Sequence, residues 1–112
     1  MGSNLASINR RLNVITASKN IVKTAAATLG VYEQNVLCDS TAGAMTMTMP
    51  RAEDAAGLTF FIRLTVDGGN VTVAYPAAAG QDPNDTVLTA VDDYVQLTSS
   101  GEGWHIDSVD VT

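Results

Sequence analysis

Few side chains in this sequence could do chemistry. There is one histidine, His105, one cysteine, Cys38, and twelve carboxylates against six cationic residues. A histidine beside a serine or a thiol is the minimum for nucleophilic catalysis, because the imidazole must take the proton as the nucleophile attacks. Neither candidate sits in a pattern that such chemistry uses. There is no nucleophile elbow, and Cys38 ends the apolar run Val36-Leu37-Cys38, where it reads as a small buried hydrophobe. His105 stands between Trp104 and Ile106 and reads as a strand histidine, partly exposed or hydrogen-bonded.

Metal and phosphate chemistry fare no better. One cysteine and one histidine cannot complete a zinc site within one chain. Asp82 with Asp85, or Asp92 with Asp93, offer the oxygen donors that hard cations take. Adjacent carboxylates diverge in an extended chain, however, and the EF-hand spacing is absent, so these acids read as solvated turn residues. Gly68-Gly69 is not followed by the Gly-Lys-Ser/Thr of a phosphate loop. The expectation is a protein with no catalytic residue, no cofactor and no metal. It is not an enzyme; a small hydrolase is the enzyme class weighed and set aside.

The elements that position these residues are mostly strands. Met45, Met47 and Met49 alternate with Thr46 and Thr48 before Pro50, and the methionines read as a core face. Leu58, Phe60, Ile62, Leu64 and Val66 alternate with Thr59, Phe61, Arg63 and Thr65, the strongest strand pattern in the chain. Phe61 is the one large apolar residue on its polar side, which marks a second covered surface such as a subunit contact. Asp67-Gly68-Gly69-Asn70 reads as a hairpin turn, its glycines and asparagine tolerating positive φ, with Val71–Tyr75 returning as the partner strand. Further turns at residues 39–43, 83–85 and 99–103 divide residues 31–112 into short strands. The spacing predicts an all-β fold, an antiparallel β-sandwich or barrel of jelly-roll type with about 7 or 8 strands.

Charge divides the chain differently. Residues 1–32 carry Arg10, Arg11, Lys19 and Lys23 and no acid, whereas residues 33–112 carry every acid with only Arg51 and Arg63. The two parts are +4 and −10. In the first part Leu5, Ile8, Leu12 and Ile15 fall at a/d spacing over about one and a half heptads. A helix that short is marginal alone and needs a partner surface. The domain reading is therefore a basic N-terminal arm, residues 1–30, and a β domain, residues 31–112. The arm's partner-binding residues are Leu5, Ile8, Arg10, Arg11, Leu12, Ile15, Lys19 and Lys23. Without an aromatic among these charges there is no stacking platform for nucleic acid. An acidic protein surface is the expected partner, either elsewhere or on the chain's own body or a neighbouring copy. No window is apolar enough to span a membrane, and the N-terminus lacks the apolar core of a signal peptide. The protein is expected to stay in the cytoplasm until it is assembled or released.

Four stretches carry a family likeness. They are Thr46-Met47-Thr48-Met49-Pro50, Gly57-Leu58-Thr59-Phe60-Phe61-Ile62, Gly69-Asn70-Val71-Thr72-Val73, and Tyr94-Val95-Gln96-Leu97-Thr98-Ser99 running through Ser100-Gly101-Glu102-Gly103-Trp104-His105-Ile106. Across residues 44–107 the chain resembles a module of tailed-phage structural proteins, the capsid decoration (head-stabilising) proteins and fibre-type β domains. Met49 stands where that module usually has leucine before the proline. The resemblance implies an all-β virion component without catalysis, commonly a homotrimer, with Trp104 as a structural anchor after the last hairpin. The short chain and basic arm favour a decoration subunit that binds the major capsid protein on the capsid surface. No contact with nucleic acid or membrane is implied. The alternative is a receptor- or glycan-binding domain of a phage head or tail fibre, with Trp104, Tyr75 and Tyr94 stacking on sugars.

Overall fold

The computed structural model describes residues 20–76 and 82–112. The arm residues Leu5, Ile8, Arg10, Arg11, Leu12, Ile15 and Lys19 lie outside them. Nine strands form among the described residues: β1 (Ile21–Lys23), β2 (Ala27–Thr28), β3 (Asn35–Asp39), β4 (Met45–Thr48), β5 (Thr59–Val66), β6 (Val71–Ala74), β7 (Thr86–Leu88), β8 (Tyr94–Ser99) and β9 (Trp104–Asp110). They make two sheets, one in the order β1-β3-β5-β8-β9 and one in the order β2-β4-β6-β7. Alternation explains which side of each strand meets the other sheet. Val36 and Cys38 of β3, Phe60, Ile62 and Leu64 of β5, and Val95 and Leu97 of β8 point inward. Met45 and Met47 of β4, Val71 and Val73 of β6, and Leu88 of β7 join them in one core. The result is an all-β sandwich. Met49, just past β4, completes the methionine face in the core.

The strand directions correct the antiparallel expectation. Among the described residues, β1–β3, β3–β5, β2–β4 and β4–β6 are all parallel, while β5–β8, β6–β7 and β8–β9 are antiparallel. The chain passes from one sheet to the other at every step from β1 to β6, so three successive coils stack like turns of a flattened spiral. It then reverses, and β7, β8 and β9 close the stack. The turn at residues 67–70 is therefore not a hairpin. It is a corner that carries the chain from β5 in one sheet to β6 in the other.

The boundary drawn at residue 30 also moves. β1 and β2 belong one to each sheet, and Leu29 is buried in the core. Residues 21–29 are thus body rather than arm. Lys23 is part of this correction, because its ammonium lies 2.7 Å from Glu33 on the body. The Glu33 carboxyl also accepts the Gly30 amide at 2.8 Å, and these contacts hold it below the usual carboxylate range.

Corners of adjacent coils lie on one another. The Ser40 hydroxyl is buried and accepts the amides of Gly68 and Gly69 at 3.0 and 3.1 Å, with the Gly69 carbonyl 2.7 Å away as acceptor. Met45 and Ser40 also donate their amides to Asn70 and Val66 across the same contact. The glycines are needed here for closeness and not for positive φ. A Cβ on Gly68 would meet the Ser40 carbonyl oxygen at 2.4 Å, and one on Gly69 would meet the Ala44 nitrogen at 2.4 Å. At the opposite end, residues 50–58 fold over the core with a 3₁₀ turn at Ala52–Ala55. Trp104 is buried there, edge-on to Phe60 at 5.3 Å, and its indole N–H donates to the Pro50 carbonyl at 2.8 Å.

These contacts set an expectation. Gly68→Ala and Gly69→Ala should each lower the free energy of unfolding by about 1–3 kcal/mol, since backbone must give way to the added methyl. Gly30→Ala, whose Cβ finds only a glutamate side chain at 3.6 Å, should change it by less than about 0.5 kcal/mol. Urea denaturation of the three variants checks this; equal effects at all three positions would refute the close-packed corner.

Candidate functional site

The residues first singled out for chemistry are held apart by the fold. Cys38 points into the core, and burial pushes its thiol up to about 12. A thiol so placed is neither ionised nor reachable near neutral pH. His105 is exposed on β9, with Nε2 3.1 Å from the Ser100 hydroxyl. That hydroxyl also accepts the amides of Glu102 and Gly103 and so belongs to the turn joining β8 to β9. Among the described residues no carboxylate orients the other imidazole nitrogen.

The acids are structural in the same sense. Asp82 accepts the Trp104 amide at 3.0 Å. Asp92 and Asp93 diverge: Asp92 is exposed at φ +76°, whereas Asp93 is buried. Asp93 accepts the amides of Thr89, Ala90 and Thr112 at 2.9, 3.0 and 3.1 Å and the Thr112 hydroxyl at 2.8 Å. Burial alone would raise its pKa, but these hydrogen bonds outweigh burial and hold the carboxyl far below its ordinary value. Among the described residues no three His, Cys, Asp or Glu side chains converge to hold a metal ion.

The aromatics proposed for sugar stacking are mostly withdrawn from the surface. Trp104 is 1% exposed and Tyr75 9%. Tyr94 remains at the surface, half-buried, and its neighbours form an ordered side-chain group. On the outer face of the five-stranded sheet, register places Asn35 beside Phe61 and Phe61 beside Gln96. Phe61 stacks on Tyr94 with ring centroids 5.3 Å apart and planes 27° from parallel. The Arg63 guanidinium lies 5.2 Å from the Phe61 centroid, a cation–π contact. On this platform lies an open groove of about 460 Å³ lined by Gln34, Asn35, Thr59, Phe61 and Gln96. Phe61 was legible in the sequence as the residue out of phase with its polar neighbours. The three amides were not, because the adjacent Gln34 and Asn35 and the distant Gln96 reach Phe61 from opposite sides.

A second feature is the exposed apolar surface. Val22 lies on β1, Ile106 and Val109 on β9, and Val111 just beyond β9. β1 and β9 are the two edges of the five-stranded sheet. Ile106 and Val109 pair with the inward-facing Leu97 and Val95, yet they are 39% and 48% exposed. The larger sheet has one strand more than the smaller among the described residues.

No protein-family model matches the chain, and no curated protein matches it significantly.

Two expectations follow from this geometry. The contribution of Asp93 is complete above the ordinary aspartate range, near pH 4, and is lost as pH falls below it, because the folded carboxyl must be protonated against the hydrogen bonds it accepts. Asp93→Ala should cost about 1–3 kcal/mol at pH 7, and that cost should shrink steadily below about pH 4. Denaturation of both proteins from pH 7 to pH 2 reads this, and a pH-independent difference would contradict it. Cys38 should react with an aromatic disulfide reagent at pH 8 only as fast as the protein unfolds; labelling at the rate of a free thiol would show that the core is open.

Proposed function

We propose that this chain is a structural virion protein, a capsid decoration subunit that binds the outer surface of a phage head as a trimer and stabilises it. The observation that carries this reading is the distribution of exposed apolar side chains along the two open edges of the larger sheet. An exposed apolar edge strand is costly to leave bare, and lateral association covers it. Val22 on one edge and Ile106 and Val109 on the other supply such side faces to a homotrimer. The stretches that resemble the phage module contribute to β4, β5, β6, β8 and β9, which supports the same reading.

Charge supports a role for the leader in docking. Lys23 is paired with Glu33, Arg51 with Glu53, and Arg63 is stacked on Phe61. The remaining cations are Arg10, Arg11 and Lys19. On this proposal they and the leader's apolar residues reach an acidic surface of the major capsid protein or of an adjoining subunit. Because the subunit binds only the assembled shell, it stabilises that state by mass action, and many weak sites on one lattice add avidity. The protein acts without a cofactor, at the capsid surface, after synthesis in the host cytoplasm. No helix of the described residues is long and apolar enough to cross a membrane.

The molar mass in solution should be three times that of the 11.7 kDa chain. The purified protein should co-sediment with undecorated heads and raise the temperature at which they rupture. A variant lacking residues 2–20 should bind at least about tenfold more weakly, a loss of roughly 1.4 kcal/mol or more per site. Unchanged co-sedimentation of that variant would remove the leader from the mechanism, and failure of the intact protein to bind any head would remove the proposal.

A further inference from the structure

We infer that the groove over Phe61 on the outer face of the five-stranded sheet is a binding site for a neutral carbohydrate. This goes beyond attachment to a head, which the proposed function assigns to other residues. A sugar ring has an apolar C–H face and a rim of hydroxyls that both donate and accept. The site that recognises it presents an aromatic face edged by groups that can do the same.

The groove has these parts in fixed positions. Phe61 is half-buried, and its ring is held by the Tyr94 stack and the Arg63 guanidinium, so little orientation is lost on binding. Gln34 donates its side-chain N–H to the Thr59 carbonyl at 3.2 Å, and Asn35 donates its own to Asn20 at 2.6 Å. Each of these amides is thereby turned so that its oxygen is the free end, an acceptor for hydroxyls. The Gln96 side chain, paired beside Phe61, has no hydrogen-bond partner among the described residues and offers both a donor and an acceptor. Although the body is strongly acidic, no carboxylate lines the groove. An uncharged ligand therefore enters without desolvating a lining ion, whereas a cationic one would find no counter-charge there and would meet the Arg63 guanidinium held beside the Phe61 ring. The surface is open rather than enclosed, which suits a short oligosaccharide bound weakly and many times over on a lattice.

The test is a titration of the ¹⁵N-labelled full chain with glucose, galactose, N-acetylglucosamine and their neutral trisaccharides, followed by amide and side-chain shifts. The expected result is saturable shifts at millimolar sugar for at least one series, confined to Gln34, Asn35, Phe61, Gln96 and their neighbours. Phe61→Ala should weaken binding by about tenfold or more. Gln96→Ala, which removes no packed ring, keeps the test decisive if the phenylalanine variant fails to fold, and it should weaken binding severalfold. Both variants should still co-sediment with heads, so loss of sugar binding is separable from loss of the decoration role. Absence of saturable shifts with every sugar overturns the inference. So does binding that is indifferent to Gln96→Ala, or a Phe61→Ala variant whose molar mass drops, which would make the groove a contact between copies.

Discussion

One serine hydroxyl holds the first half of this fold together. Ser40 sits where two corners of the chain cross, and its single oxygen takes the amides of Gly68 and Gly69 while its proton reaches a carbonyl of the same corner. A hydroxyl has two lone pairs and one proton, so this contact uses its whole capacity. The corner backbones approach too closely for any side chain at residues 68 and 69. Each coil enters the second sheet at the height set by the coil before it. The registers Val36 to Ile62 and Met45 to Val71 are the two sides of one constraint.

Other buried polar groups repeat this arrangement at the remaining irregular points. The Ser99 hydroxyl donates to the Ala52 carbonyl at 2.6 Å and ties the 3₁₀ turn to β8. Asp93 gathers three amides of the 89–90 turn and Thr112, and the Trp104 indole secures the segment after Pro50. Polar side chains thus fasten loops to the sandwich, while the outer faces of the sheets keep threonines and amides in contact with water. The acids are occupied in turns or dispersed over the surface, which leaves the groove beside Phe61 free of carboxylates, with the Arg63 guanidinium as its neighbouring charge.

Alternation made the inward faces legible. The core sides of β4 and β5 are the residues that the period-2 pattern selects, except Val66, which is exposed at the end of β5 where the register with β3 shifts, and the buried anchor after the last turn is Trp104. Pairing was hidden for a physical reason. Alternation records that one side of a strand is buried, but it is blind to the direction of the neighbour. A Gly-Gly corner serves equally as a hairpin turn between adjacent strands or as a passage between sheets. The coils also differ in length: the step from Ile21 to Val36 is much shorter than that from Val36 to Ile62, so no repeat appears in the sequence. The groove was hidden for the same cause. Gln34, Asn35 and Gln96 become neighbours of Phe61 only through a parallel pair on one side and an antiparallel pair on the other.

The reversal of direction after β6 gives the molecule a growing end and a finished end. Among the described residues both sheets end, at the β1 and β2 margin, on strands that run with the coils, so a further parallel coil laid against that margin would meet two ready templates in the correct sense. At the β7 and β9 margin the final strands follow antiparallel partners, and a further coil would find its continuation interrupted. Upstream length can therefore vary without redesigning the closure, much as a stopper fits necks of any height.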